Sequence, residues 1–180
     1  MSLEKSIFAV LAAASARNRF RFLVIGGYSL EAYGYRRYTE DRDVMVTAED
    51  VPTVENVLIG MGYERAYANN SFLKFKHRLM QLEDVDVMFV TSETFDKLWS
   101  RRHAYCRGTA TLHVPAALHI AALKLHAIKN NPDRRGKDLN DIRELIARNP
   151  DEFPVDELRT VCERYGPPGI FNDLNDYLRS

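Results

Sequence analysis

Residues Gly26 to Val46 read GGYSLEAYGYRRYTEDRDVMV. An apolar run, Phe22-Leu23-Val24-Ile25, leads into Gly26-Gly27, and a short amphipathic piece separates the glycines from Asp41-Arg42-Asp43 and the apolar Val44-Met45-Val46. This order predicts a strand, a glycine turn opening a helix, and a second strand that begins on two carboxylates. Side chains at i and i+2 of a strand share a face, so Asp41 and Asp43 point the same way. Two like charges that close are costly unless a cation stands between them. Oxygen ligands on a rigid strand suit Mg²⁺ or Mn²⁺, which take further ligands from substrate phosphates. Gly26-Gly27 lets backbone approach a bulky anion, and a helix N-terminus offers free N–H groups to it. A phosphate cradle and a metal-binding pair joined by one short helix fit a nucleotide site.

These residues resemble the nucleotidyltransferase superfamily. The resemblance rests on Gly26-Gly27 followed by Arg37-x-Thr39-x-Asp41-x-Asp43 and an apolar strand. It is strongest to the AbiEii/AbiGii-toxin-like and MNT-type branches. A third carboxylate belongs to that pattern, and Asp84-Val85-Asp86-Val87-Met88-Phe89-Val90 supplies it. Asp86, which directly precedes the apolar run as Asp43 does, is the first choice, and Asp84, on the same strand face, is the alternative. A later helix with Lys124 and Lys129, then Lys137-Asp138-x-x-Asp141, resembles the fourth element of the AbiEii-like branch. The resemblance covers about Phe22 to Leu145. Two positions depart from it: Gly27 stands where the superfamily often has Ser, with Ser29 two further on, and Arg42 stands between the aspartates where an aliphatic residue is common.

The resemblance implies metal-dependent transfer of a nucleoside monophosphate from an NTP to a hydroxyl, with Asp41, Asp43 and Asp86 as catalytic and metal-holding residues. Two Mg²⁺ or Mn²⁺ ions orient the triphosphate and activate the acceptor in such a site. Gly26, Gly27, Ser29, Arg37, Thr39 and Lys124 are the nucleotide-binding candidates. The acceptor is RNA, a protein or a small molecule, and the AbiEii-like branch implies a toxin–antitoxin or phage-defence setting with a partner protein. The competing reading is a module of the same fold that binds a partner or a nucleotide without turnover, since fold alone does not settle activity. A small-molecule transferase of the aminoglycoside kind is a third option.

Length and charge bound these readings. The 180 residues suffice for a sizeable core. Lys plus Arg and Asp plus Glu both number 25, so the balance that drives non-specific nucleic-acid binding is missing. Cys106 and Cys162 have no metal or redox spacing and read as reduced thiols of a cytoplasmic protein. The apolar stretch Ile7 to Ala14 is too short to span a bilayer and is followed by Arg17, Arg19 and Arg21, so it reads as a helix.

Along the chain, Leu3, Ile7, Val10 and Leu11 fall on one helical stripe. Phe20 to Ile25 is expected as a first, central strand. A helix with Pro52 in its first turn follows the carboxylate strand, closed by Gly62. Asn69-Asn70 marks a hairpin. Leu82 to Val90 is the strand of the third carboxylate, and Thr109 to Val114 another extended piece. Pro115 opens a helix to Asn130, whose expected core stripe is Leu118, Ala122, Leu125 and Ile128, leaving Lys124 toward a cleft or solvent. Three further helices follow. The layout is α+β: a mixed sheet flanked by helices over 1–114, with a helical part over 115–180 packed on it.

Overall fold

The computed structural model describes residues 7–79, 83–108 and 110–178. Leu3, Leu82 and Thr109, which the sequence places in the first helix and two strands, lie outside the described residues. The chain divides into two compact units, Met1–Tyr28 with Arg37–Pro115, and Ser29–Arg36 with Ala116–Ser180.

The first unit is built on a five-stranded mixed sheet. Its strands are β1 (Leu23–Val24), β2 (Arg42–Thr47), β3 (Tyr63–Ala68), β4 (Phe72–His77) and β5 (Val85–Val90), in the spatial order β1-β2-β5-β4-β3. Among these strands β2 and β5 run parallel, and the other neighbours are antiparallel. A parallel pair needs a crossover. It is supplied by α2 (Val51–Gly60) and the β3–β4 hairpin. Strand β2 starts half-exposed at Arg42 and Asp43 and is then fully buried from Val44 to Thr47. That is the pattern of a central strand whose first residues open to solvent. Thr47 ends it and accepts a hydrogen bond from the Asp50 amide, capping the turn into α2. Val54 and Leu58 of α2 are buried, and Gly62, at φ +91°, makes the left-handed exit.

Two helices, α1 (Ile7–Asn18) and α3 (Ser92–Ser100), and a two-stranded ribbon of β6 (His103–Arg107) with β7 (Ala110–Val114) complete this unit. The first strand is not central as its apolar sequence suggests. It is two residues long and at the sheet edge, buried because β7 packs beside it. The segment after the glycines is likewise not an α-helix but a 3-10 helix over Tyr28–Tyr33.

The second unit gathers α4 (Ala117–Asn130), α5 (Arg135–Arg148), α6 (Val155–Tyr165) and α7 (Ile170–Asn175) with the segment Ser29–Arg36. Asn149 donates a side-chain hydrogen bond to the Tyr33 carbonyl, Asn140 donates to the Tyr35 hydroxyl, and the Arg148 guanidinium lies over the Tyr35 ring. Burial, and secondarily the charge of Glu152, push the Tyr33 phenol up, so it stays protonated. Among the described residues no helix is long and apolar enough to cross a membrane.

Candidate active site

The parallel pairing of β2 with β5 puts Asp43 directly beside Asp86, at the same register. In a parallel pair, residues at one register point to one face of the sheet, so the two carboxylates are neighbours. Asp41 and Asp84 lie just before the two strands, and one side chain, Lys74, reaches both of them and Asp86. The Arg42 amide donates to the Asp84 carbonyl, which holds the starts of the two strands together. On the other side of β5, Lys74 of β4 stands opposite Asp86. One row across three strands therefore reads Lys74, Asp86, Asp43.

The row continues beyond β2. The Ile25 amide donates to the Asp43 carbonyl, and Gly26 follows at φ +63°. A Cβ on Gly26 would lie 2.0 Å from Asp43 Oδ2, and one on Gly27 would lie 2.8 Å from Thr39 Cβ and Oγ1. The two glycines are thus required where the chain hugs Asp43 and Thr39. This contact is one that the sequence does not suggest, and the element after the glycines is a 3-10 helix where an α-helix is expected. Arg42 occupies the opposite face from its two aspartates. It pairs with Glu83 and lies 4.3 Å over the Tyr28 ring, a contact Arg107 repeats at 4.5 Å. The departure from an aliphatic residue there serves that stack.

Sequence reading did not single out Lys74. Its ammonium is 3.2 Å from Asp41 Oδ1, 3.4 Å from Asp84 Oδ2 and 3.6 Å from Asp86 Oδ1. Burial pulls its proton affinity down, but the bond to Asp41 and the charges of Asp86 and Asp41 outweigh that and leave it raised. Lys74 therefore stays protonated here. Its sequence signal is only an alternation, Phe72-Leu73-Lys74-Phe75, on a hairpin strand. Nothing in that pattern fixes the register against β5.

The Asp86 carboxyl is shifted well above its ordinary value. Burial pushes it up; Lys74 offsets this in part, and the nearby Asp43 and Asp41 add to the rise, to about 6. Its Oδ1 is buried and makes no hydrogen bond, Lys74 being too far for one. A buried acceptor without a donor has a cost that a cation would remove. The donor set is all oxygen, as Mg²⁺ and Mn²⁺ prefer. Residue types and the orphaned oxygen therefore fit a divalent metal. Among the described residues, no three His, Cys, Asp or Glu side chains stand together closely enough to hold a metal ion between them. The Lys74 ammonium stands among these carboxylates instead.

The other expected site residues fall as follows. Thr39 packs against Gly27. Arg37 donates to the Tyr38 carbonyl. Ser29 is fully buried. Lys124 does not face a cleft or solvent: it is 6% exposed, and its ammonium is 2.6 Å from Asp141 Oδ2 and 3.2 Å from Asp138 Oδ1. Asp138 Oδ2 also receives the Arg134 guanidinium at 2.8 Å. Both aspartates are fully buried on α5, so this lysine's charge is satisfied inside the helical unit.

No curated protein sequence matches the chain. Solved structures similar to it include the antibiotic-resistance factor ANT(2'')-Ia, at 11% identity, covering 98% of this chain and 99% of that chain with a TM-score of 0.68. A lincomycin-bound lincosamide antibiotic adenylyltransferase, LnuA, matches at 14% identity, 79% of this chain and 96% of that chain, TM-score 0.58. An antigenic nucleotidyltransferase-like protein from Paracoccidioides brasiliensis matches at 18% identity, 97% and 91%, TM-score 0.62. At such identities the likeness speaks for the fold. A family model described as an uncharacterised nucleotidyltransferase matches residues 7–167. With most of its length inside that model, the chain belongs to this nucleotidyltransferase family.

Proposed function

We propose that the chain transfers a nucleoside monophosphate from an NTP to a hydroxyl, using Mg²⁺ or Mn²⁺ held by Asp41, Asp43 and Asp86. The observation that carries this reading is the side-by-side register of Asp43 and Asp86 on parallel strands, with a buried Asp86 oxygen that lacks a donor. When bound, the metal neutralises phosphate charge and makes the acceptor hydroxyl more acidic. Asp43, fixed by β2 and by the close packing of Gly26, and Asp41 just before that strand set the position at which phosphate oxygens are met. Asp86 takes the proton of the acceptor hydroxyl as its oxygen bonds to the α-phosphorus and the bond to pyrophosphate breaks. A carboxyl raised to about 6 suits a general base near neutral pH.

One structural relative is a lincosamide antibiotic adenylyltransferase and another an antibiotic-resistance factor, which makes a hydroxyl of a small molecule the first acceptor to try. The AbiEii- or MNT-like resemblance makes tRNA and a partner protein of a toxin–antitoxin pair the next. Incubation with each α-labelled NTP, Mn²⁺ and, in turn, small hydroxylated compounds, total RNA and lysate shows which class is labelled. Label in any acceptor that disappears with Asp43→Asn supports transfer. No label with any acceptor, together with NTP binding indifferent to EDTA, would sink it. The non-catalytic binding module is favoured by one observation, the ammonium already seated among the carboxylates. It gains if nucleotide binds without metal and nothing is labelled.

A further inference from the structure

Lys74 has the chemistry of an internal counter-ion. Strand β4 fixes its Cα opposite Asp86, and its ammonium reaches carboxylates from the starts of two strands, Asp41 before β2 and Asp84 and Asp86 at β5. A monovalent charge thus stands where a divalent one would bind. It is not locked in place: the side chain is about a quarter exposed, at 28%, and its longest ion-pair distance, to Asp86, leaves that oxygen without a hydrogen bond. A lysine's four-carbon stem lets the charge swing out while the strand stays put.

We propose that Lys74 is a displaceable counter-ion that makes metal binding conditional on nucleotide, a positioning residue not assigned by the family resemblance. This rests on the nucleotidyl-transfer reading of the same carboxylates. While the site awaits substrate, Lys74 compensates the clustered aspartates and competes with free metal for them. A bare ion offers the expelled ammonium no new partner. A nucleotide brings phosphate oxygens with which a lysine pairs well. The carboxylates therefore exchange one cation for another only when both halves of the substrate arrive, and free metal alone does not fill the site.

The test is Mn²⁺ binding followed by the spin-resonance signal of the free ion, on the full chain, with and without ATP. Lys74→Met removes the charge and keeps much of the stem; Lys74→Gln replaces it if the first variant does not fold; Lys74→Arg keeps the charge. Wild type is expected to bind Mn²⁺ poorly without ATP. Lys74→Met is expected to bind Mn²⁺ alone at least about tenfold more tightly, a conservative effect for one unit charge at contact distance. Lys74→Arg is expected to stay near wild type. Mn²⁺ alone is then expected to raise the melting temperature of Lys74→Met more than that of wild type, a rescue that loss of packing would not produce. If wild type and Lys74→Met bind Mn²⁺ alone equally while ATP still tightens both, the counter-ion inference falls and the transfer reading stands. The inference also falls if Lys74→Arg binds Mn²⁺ alone as tightly as Lys74→Met. If no variant binds Mn²⁺ even with ATP, the metal reading of the site is overturned and this inference with it.

Discussion

Asp86 carries a pH dependence of defined sign. Its folded value of about 6 lies above the ordinary 3.8, so the native state holds this proton more tightly than the unfolded chain. The resulting stability is fully present below about pH 4 and is lost as pH rises through about 6. Ligation runs the other way, because only the carboxylate binds metal. Mn²⁺-dependent ATP binding is expected to fall as pH is lowered through about 6, and Asp86→Asn should remove that step while folding normally. A binding curve flat across that region would refute the assignment of Asp86. Gly26 offers a second test. Gly26→Ala meets both a left-handed φ and Asp43 Oδ2, whereas Gly34, at φ +79°, has open space around its Cα. Gly34→Ala should cost the backbone term alone, roughly 1 kcal/mol. Gly26→Ala should cost more, up to about 3 kcal/mol, and abolish metal-dependent ATP binding. Equal melting temperatures for the two variants would mean the Gly26–Asp43 contact is unimportant. Sequence marked both glycines as special, but the reason it suggested was a ligand. A contact between residues 26 and 43 has no signature in spacing.

Helix α4 shows how a periodic pattern misplaces a charge. Four apolar positions define a narrow stripe that leaves Lys124 outside, yet Ala117, Leu118, Ile120, Ala121, Leu125 and Ile128 are all buried. The helix is covered around most of its girth, and Lys124 is acceptable there because α5 brings Asp138 and Asp141 to it. The pairing of the two helices, on which this depends, is not written in either helix. Removing one partner from a buried ion cluster leaves uncompensated charge, so Lys124→Ala should destabilise the protein by about 3–5 kcal/mol. Thermal unfolding checks this; an unchanged midpoint would restore a solvent-facing role. Replacing all three together, as Lys124→Met with Asp138→Asn and Asp141→Asn, should recover part of the loss. Strand β1 is a parallel case. Its apolar sequence announces burial correctly but not whether the burial comes from flanking strands or from a neighbouring ribbon. Strands β2 and β5 were legible because each moves from carboxylate to an apolar run, while their parallel pairing is written in neither strand.

The α+β order, strands first and helices last, is plain in the sequence because the hydrophobic period changes near Val114. What no period reveals is that Ser29–Arg36 belongs with the helices. Hydrogen bonds from Asn149 and Asn140 to Tyr33 and Tyr35 hold it there. A fragment starting at Ala116 is therefore expected to lose cooperative thermal unfolding by circular dichroism, although it contains all four α-helices of its unit. A sharp melt from that fragment would show the early segment to be dispensable. The same feature bears on synthesis. A ribosome releases the chain from the N-terminus, and domains ordinarily fold as they emerge. Here Tyr33 and Tyr35 leave the exit tunnel long before Asn140 and Asn149 exist. The nascent chain has to carry an uncommitted loop beside its finished carboxylate strands, and that loop finds its partners only when translation has passed Asn149.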